Sequence, residues 1–540
     1  MKSKKIKKEG FMKGVLTLMF SQVLIKIIGL VYKWYLTNKE GFGDKGNAIY
    51  SAGFSIYALL LTLSSTGVPN AVAKLVSART AKMDYRGAHR IFKIAFGTFA
   101  IIGLIGTLIL FCGAKYISTE MLQIPEAELS LVALSPAIFF VTIISVFRGF
   151  FNGRQNMKAT ANSQVIEQIF KTVFTIIIVE FIAICSGAST VIMAAGANLA
   201  TTFAILTSFL YLYIYYSIRR KDLAKEIVTS TNYSTRSLIG TVKNILFVSI
   251  PMSLSAILGS INRNIDSMTV VRGLKKFMEE EKAIKQYGIL SGKVDTLISL
   301  PLSFNIAFAT ALVPSITAAR AVGNDEVVEK RILFSLLTTI LIGLPCMVGM
   351  MIFAKPILQL LFPNAPDGEI VFIVSAIGII FMILEQTVNG ALQGIGKILT
   401  PAISLAIGVS VKLVLNLTLI PIEKIGIIGA SIGTIACHMI SFIIGFKILK
   451  SNLKLKLSFS KFMLKPLIAT FVMGVCSYTT FIILNYCIET ETLSIIIAII
   501  VAIIIYIVVI FLLKIFTKEE IYTMPYGSKV CKFLEKIKIY

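Results

Sequence analysis

The stretch "TLSIIIAIIVAIIIYIVVIFLL", residues 492–513, runs for 22 residues without one charge. Wound as an α-helix it would be about 33 Å long, enough to cross the ~30 Å hydrocarbon core of a bilayer. Residues 332–354 and 466–488 are equally free of charge. Working outward from these clean runs, candidate spans fall at 12–36, 46–67, 94–114, 129–149, 159–180, 187–216, 244–271, 286–312, 332–354, 370–393, 398–420, 425–446, 464–487 and 492–513. The expected fold is therefore an all-α polytopic membrane protein with about fourteen transmembrane helices. Composition agrees. Of 540 residues, 56% are hydrophobic and only 15% charged, with a mean hydropathy of +0.84. A soluble chain is nearer a quarter charged.

The net charge of +25 raises the question of nucleic acid, and its distribution answers it. Lys and Arg sit in short segments between apolar runs, with no basic patch carrying interleaved aromatics, so no nucleic-acid partner is expected. The seven cysteines (112, 185, 346, 437, 476, 487, 531) are scattered and form no CxxC. With only two histidines, His89 and His438, neither a disulfide framework nor a metal site is expected, and no bound cofactor. The basic start "MKSKKIKKEGFMKG" leads into an apolar run that continues through Lys26 and Lys33 with no A-x-A site before it. That favours a retained first span over a cleaved signal peptide.

Orientation follows from the positive-inside rule. With the first segment placed in the cytoplasm, the spans alternating, and the span-end cations Lys13, Arg148 and Lys465 counted with the adjoining inside segments, those segments hold 37 of the 53 Lys and Arg and the outside segments 10. The other 6 lie within spans: Lys26, Lys33, Lys171, Arg263, Lys293 and Lys412. Both termini are thus expected inside. The outside segment "RGLKKFMEEEKAIK" (272–285) breaks the bias with five cations. Its three Glu and its length suit a short amphipathic helix.

An internal repeat is visible between "FRGFFNGRQNMKATANSQVIEQIFK" (147–171) and "VNGALQGIGKILTPAISLAIGVSVK" (388–412). Gly149 matches Gly390, Gly153 matches Gly394 and Lys171 matches Lys412, each 241 positions apart. Arg79 and Arg320, which end "LVSAR" and "ITAAR", share that offset. Six spans per repeat gives both halves the same orientation, the parallel-repeat logic of secondary transporters. The expected organisation is a basic N-terminus (1–13), an N-lobe of spans 1–6 (14–218), a linker (219–243), a C-lobe of spans 7–12 (244–450), two C-terminal spans (451–513) and a basic tail (514–540). The Gly-x-x-x-Gly spacing also has a purely structural reading, a close helix contact between small residues.

Charges inside a bilayer are expensive and need a reason. Span 1 carries Lys26 and Lys33, seven apart on one helix face. Span 7, "SLSAILGSINRNIDSMTVV" (253–271), carries Arg263 and Asp266, an i, i+3 pair. Span 8 carries Lys293 and Asp295; elsewhere lie Glu167, Lys171, Glu385 and Lys412. One structural reading makes Arg263–Asp266 and Lys293–Asp295 buried locks; another has Lys33 and Lys293 snorkelling. A functional reading gathers Lys26, Lys33, Arg263, Asp266, Lys293 and Asp295 around a net cationic cavity, with Glu167, Glu385 and Asn389 as further cavity or coupling residues. An excess of cations suits a phosphate or pyrophosphate cargo.

These same residues carry a family resemblance. "GILSGKVDTLISLPLSFNIAFATALVPSITAAR" (288–320) and "SQVLIKIIGLVYKWYL" (21–36) resemble the eighth and first spans of the lipid II flippases and the stage V sporulation protein B group. "NGALQGIGK" (389–397) is similar to a loop found across the multidrug/oligosaccharidyl-lipid/polysaccharide (MOP) exporter superfamily. The resemblance covers nearly the whole chain. It implies alternating-access transport of an undecaprenyl-pyrophosphate-linked cell-wall precursor, with the head group in the cationic cavity and the lipid tail in a groove beside the last two spans. It also implies a bacterial cytoplasmic membrane and, as partners, membrane lipid and the cell-wall synthesis machinery, in vegetative growth or sporulation. The family's first-span Arg falls on Lys26, three before Gly29. Its second falls on Tyr32, beside Lys33. Its second-span Arg has no counterpart in the uncharged 46–73, and its span-8 Asp-Arg falls on Asp295-Thr296. These departures point to the sporulation-protein-like branch.

Other readings are an exporter of a different lipid-linked polysaccharide and a cation-coupled drug antiporter of the same superfamily. The antiporter's cargo is usually cationic and would be repelled. Coupling by Na+ or H+ at the cavity acids, or by the membrane potential, is open to either exporter. A membrane enzyme would need clustered acids or histidines in long loops. The loops here are short, and the chain is not expected to be an enzyme.

Overall fold

A computed structural model describes residues 11–62, 67–80, 82–154, 156–185, 187, 189–228, 230, 238–321, 324–453, 455, 457–488, 490–522, 531 and 535. Among the described residues there are helices and turns but no strand. The basic N-terminal stretch, residues 231–237 of the expected linker and most of the basic tail lie outside them.

In chain order the helices are α1 (Phe11–Asn38), α2 (Gly43–Thr62), α3 (Val68–Thr80), α4 (Tyr85–Tyr116), α5 (Glu128–Gly153), α6 (Met157–Cys185), α7 (Thr190–Val228), α8 (Leu238–Leu274) and α9 (Glu280–Gly288). They continue with α10 (Asp295–Ala321), α11 (Asp325–Ile352), α12 (Ala354–Leu361), α13 (Glu369–Gly394), α14 (Thr400–Leu419), α15 (Ile428–Asn452), α16 (Lys465–Ile488) and α17 (Glu491–Leu512). Each expected span falls on a long helix. Among the described residues, ten of these helices are long and apolar enough to cross a membrane. The other four expected spans fall on α1, α2, α8 and α10, and three of those carry the charges assigned to the candidate site. The charged segment after α8 does form a short helix, α9, which buries Ala283, Ile284 and Tyr287 and leaves its acids outward.

The chain divides into two compact units, residues 1–293 with 416–427, and residues 294–415 with 428–540. This division does not follow the sequence repeat: α8, which opens the second repeat in the sequence, packs on α2 and α3 within the first unit. The first unit is cemented by rings between α4, α5 and α7. Phe92 and Tyr216 stand 5.2 Å apart, and each lies within 4.7–6.4 Å of Phe147 and Phe150, centroid to centroid. The second unit is cored by Ile316, Ile332, Leu336, Leu392 and Leu449, all nearly inaccessible. The last hairpin, α16 and α17, belongs to it: α16 packs on α11, and the Tyr506 hydroxyl on α17 donates to the Leu341 carbonyl at 2.9 Å.

The repeat has a physical basis in each unit. In the first, a Cβ on Gly149 would stand 2.8 Å from the Pro69 carbonyl oxygen, and one on Gly153 2.7 Å from that of Ala73. In the second, a Cβ on Gly390 would stand 2.8 Å from the Ala309 carbonyl oxygen, and one on Gly394 2.8 Å from Ile316 Cβ. Each Gly-x-x-x-Gly therefore lets a long helix press backbone to backbone on its neighbour, α5 on α3 and α13 on α10. The helix that follows the repeated Arg is capped in both units. Asp84 Oδ1 accepts from Gly87 N at 2.7 Å, and Asn324 Oδ1 from Val327 N at 3.1 Å. Gly149→Leu and Gly390→Leu are each expected to force a helix pair apart at a cost of about 1–3 kcal/mol or more. A lowered midpoint of thermal unfolding in detergent checks this, and an unchanged midpoint would refute the contact.

Candidate functional site

In the first unit, α2 carries an aromatic stripe. Tyr50, Phe54 and Tyr57 recur at i, i+4 and i+7, which puts them on one face. Their ring centroids step along it at 5.8 and 5.5 Å, and Tyr32 of α1 meets Tyr50 edge-on at 6.5 Å. Two lysines lie against this stripe. The Lys33 ammonium stands 4.8 Å from the Tyr50 centroid. The Lys171 ammonium, on α6, stands 4.4 Å from Phe54, 4.9 Å from Tyr32 and 5.8 Å from Tyr50. Both lysines are buried, at 5% and 7% exposure. Lys26, one face-repeat before Lys33, is exposed and lies within electrostatic reach of Tyr32, Lys171 and Arg263.

Arg263 reaches this place because α8 is pinned to α2. Asn264 Nδ2 donates to the Ser55 carbonyl at 3.1 Å, and Ser260 and Thr62 share a 2.6 Å hydroxyl contact. Arg263 itself is exposed and donates from Nη2 to Ser260 Oγ at 3.1 Å. Asp266 is held from another side: its Oδ1 accepts from Asn416 Nδ2 at 2.9 Å, and the same amide bonds Thr269 Oγ1 at 2.9 Å.

Lys293 needs a correction. The sequence reading allowed it as a buried lock with Asp295 or as a cation of the cavity, and named neither Asp44 nor α2. Its side chain is fully enclosed and grips Asp44 at the head of α2, with Nζ 2.9 Å from Oδ1 and 3.0 Å from Oδ2. The local chain explains the reach. Residues 289–294 form one wide π-helical turn, and Gly288 and Gly292 let it sit against α2. A Cβ on Gly288 would lie 1.8 Å from the Asp44 carbonyl oxygen, and one on Gly292 2.7 Å from Asn47 Cβ. Asp295 is exposed at the start of α10, in the second unit.

The remaining acids are each held by neighbours. Glu167 Oε2 accepts from Arg148 Nη2 at 2.8 Å, and Arg148, 8% exposed, also bonds Ser163 and Ser208. In the second unit Glu385 is 5% exposed. It meets His438 Nδ1 at 2.5 Å and accepts from Ser441 Oγ at 2.7 Å and, more weakly, Asn389 Nδ2 at 3.4 Å. Sequence reasoning missed Asp44, Arg148, His438 and the rings around Lys171. The stripe at 50, 54 and 57 was readable, but such a stripe is more often core packing.

Four cations, Lys26, Lys33, Lys171 and Arg263, thus converge in one unit with Asp266 as the carboxylate on the same helix as Arg263. Their potentials add, most strongly at the buried Lys33 and Lys171, where water screens least. Such a place attracts an anion.

Comparisons with known proteins agree with this architecture. The family model for the polysaccharide biosynthesis protein matches residues 11–320, and the MatE model matches residues 292–418. The chain is 27% identical over 455 residues to the lipid II flippase MurJ of Bacillus subtilis (strain 168), covering 82% of each chain. It is 26% identical over 438 residues to stage V sporulation protein B of the same organism, covering 79% of this chain and 81% of that one. Its fold matches an inward-facing multidrug resistance MATE family transporter of the MOP superfamily. The TM-score is 0.67 at 16% identity, over 82% of this chain and 98% of that one.

Proposed function

This chain belongs to the polysaccharide biosynthesis protein family, and from that premise we propose that it is a membrane transporter of the MOP superfamily that flips a lipid-linked, pyrophosphate-bearing cell-wall precursor, lipid II or a close analogue, across the bacterial cytoplasmic membrane. The observation that carries the reading is the convergence of Lys26, Lys33, Lys171 and Arg263. A pyrophosphate head needs such cations to leave water for the membrane interior. In this reading the sequence repeat supplies two six-helix lobes in parallel orientation, both termini face the cytoplasm, and transport proceeds by alternating access. The lipid tail stays among membrane lipids beside α16 and α17. Exposed Phe471, Ile483 and Ile503 there offer an apolar face. The same cations would serve another lipid-linked polysaccharide unit, but would repel the cationic cargo of a drug antiporter.

Coupling is assigned to the second unit. Glu385, with His438, Ser441 and Asn389, is the buried acid placed to exchange H+ or Na+, and the membrane potential can add about 2.3 kcal/mol per charge per 100 mV. The test is an accessibility assay for outer-leaflet lipid II in flippase-depleted cells. Expression of this chain is expected to restore the outer-leaflet signal, and Glu385→Gln to lower it about tenfold. No restoration by the wild-type chain would refute the lipid II reading. A wild-type signal from Glu385→Gln would remove the coupling role.

A further inference from the structure

Lys171 is the outlier among the buried cations of the first unit. Lys293 there shows what a lock looks like: an enclosed ammonium with a carboxylate at 2.9 Å. Arg148 shows another, with Glu167 at 2.8 Å. Lys171 is 7% exposed yet makes no ion pair among the described residues. Its ammonium instead meets the Tyr32 hydroxyl and lies against the rings of Phe54, Tyr32 and Tyr50, with no carboxylate beside it among the described residues. A ring face holds a cation by its quadrupole but accepts hydrogen bonds poorly, and an ammonium has three to donate. The cost of desolvating this lysine is therefore already met in folding, while its best partner, an anion, is not supplied by the fold.

Lys33 shares the Tyr50 ring at 4.8 Å, and Lys26 lies within electrostatic reach of Lys171. We infer that Lys171 is a phosphate-binding residue of this site, that the rings of Tyr32, Tyr50 and Phe54 hold its ammonium in place while the site is empty, and that a pyrophosphate head is gripped between Lys171 and Lys33. The inference rests on the anion-site reading above and goes beyond it in two ways. It adds a ligand from α6, from which the sequence reading drew only Glu167, and it gives the aromatic stripe a task. The rings fix where the charge waits, so the incoming phosphate meets an oriented donor.

The chain has one tryptophan, Trp34, next to Lys33 and 46% exposed. Its fluorescence therefore reports on this part of α1 alone. Purified full-length protein in lipid nanodiscs is titrated with inorganic pyrophosphate, with undecaprenyl pyrophosphate, and with sulfate at matched ionic strength. The wild type is expected to give a saturable change with undecaprenyl pyrophosphate. A matching response to inorganic pyrophosphate would place the recognition in the head group itself, and its absence would place it in the lipid-linked form; both support the assignment. K171Q is expected to weaken apparent binding about tenfold, and K171R to stay within about threefold of wild type. F54L removes the nearest ring but keeps the charge, and is expected to bind at least as tightly as wild type. Should K171Q not fold, F54L decides: binding weakened tenfold there would assign the ligand to the ring and overturn the role of Lys171. Wild-type binding with an unchanged K171Q overturns this inference alone. An equal response to sulfate overturns it as well. A wild type that responds to neither pyrophosphate probe overturns the anion site itself.

Discussion

Arg263→Ala is expected to abolish complementation of a strain depleted of its lipid II flippase, while the variant still accumulates in the membrane. The two halves of that expectation have separate causes. Function fails because a hydrogen bond to a charged group contributes roughly 1.5–3 kcal/mol. Losing it on the proposed path of the pyrophosphate is expected to slow transport about 10- to 100-fold. Folding is expected to survive because Arg263 is exposed and its bond to Ser260 stays on its own helix. Nor does the change strip Asp266 of its neighbours, since Asn416 still donates to that carboxylate at 2.9 Å. Adding Lys26→Ala removes the exposed cation of α1 as well. Colony counts under depletion, with a membrane immunoblot for each variant, decide the matter. Full growth with both substitutions present would sink the cationic-site reading.

The helices were legible because lipid demands long apolar runs, and such runs survive any tertiary detail. The repeat was legible for a sharper reason. Gly149, Gly153, Gly390 and Gly394 sit where a Cβ would strike a neighbouring helix, so the spacing could not drift freely. The partner of Lys293 was not legible. The nearest acid in sequence is Asp295, but the ammonium reaches Asp44, 249 positions away, through a wide turn that no periodicity announces. Asp44 lies just before the second apolar run and reads as loop. Arg148 was counted with the basic loop after its span, because charge counting sees chain position and not the 2.8 Å contact to Glu167. His438 was set aside when metal chemistry was. A lone histidine carries no spacing signal, and only the packing of α13 against α15 brings it to Glu385.

The buried cations of the first unit fall into two kinds, and the distinction predicts opposite phenotypes. Lys293→Met is expected to cost about 3–5 kcal/mol, because breaking one side of a buried ion pair leaves the other charge uncompensated. Asp44, 11% exposed, cannot recover full hydration where α9 and the π-helical turn cover it. The variant should unfold at markedly lower temperature in detergent, or fail to accumulate. Adding Asp44→Leu should restore most of the loss, since well-packed apolar replacements of a buried pair are often neutral or stabilising. Thermal unfolding of the two variants measures this directly, and a single variant as stable as wild type would remove the lock. The double variant then separates structure from transport. If it folds and still complements, Lys293 serves only to clamp the turn onto α2. If it folds and fails, the ammonium acts on the cargo in another state of the transport cycle, and Lys293 returns to the company of Lys26 and Arg263.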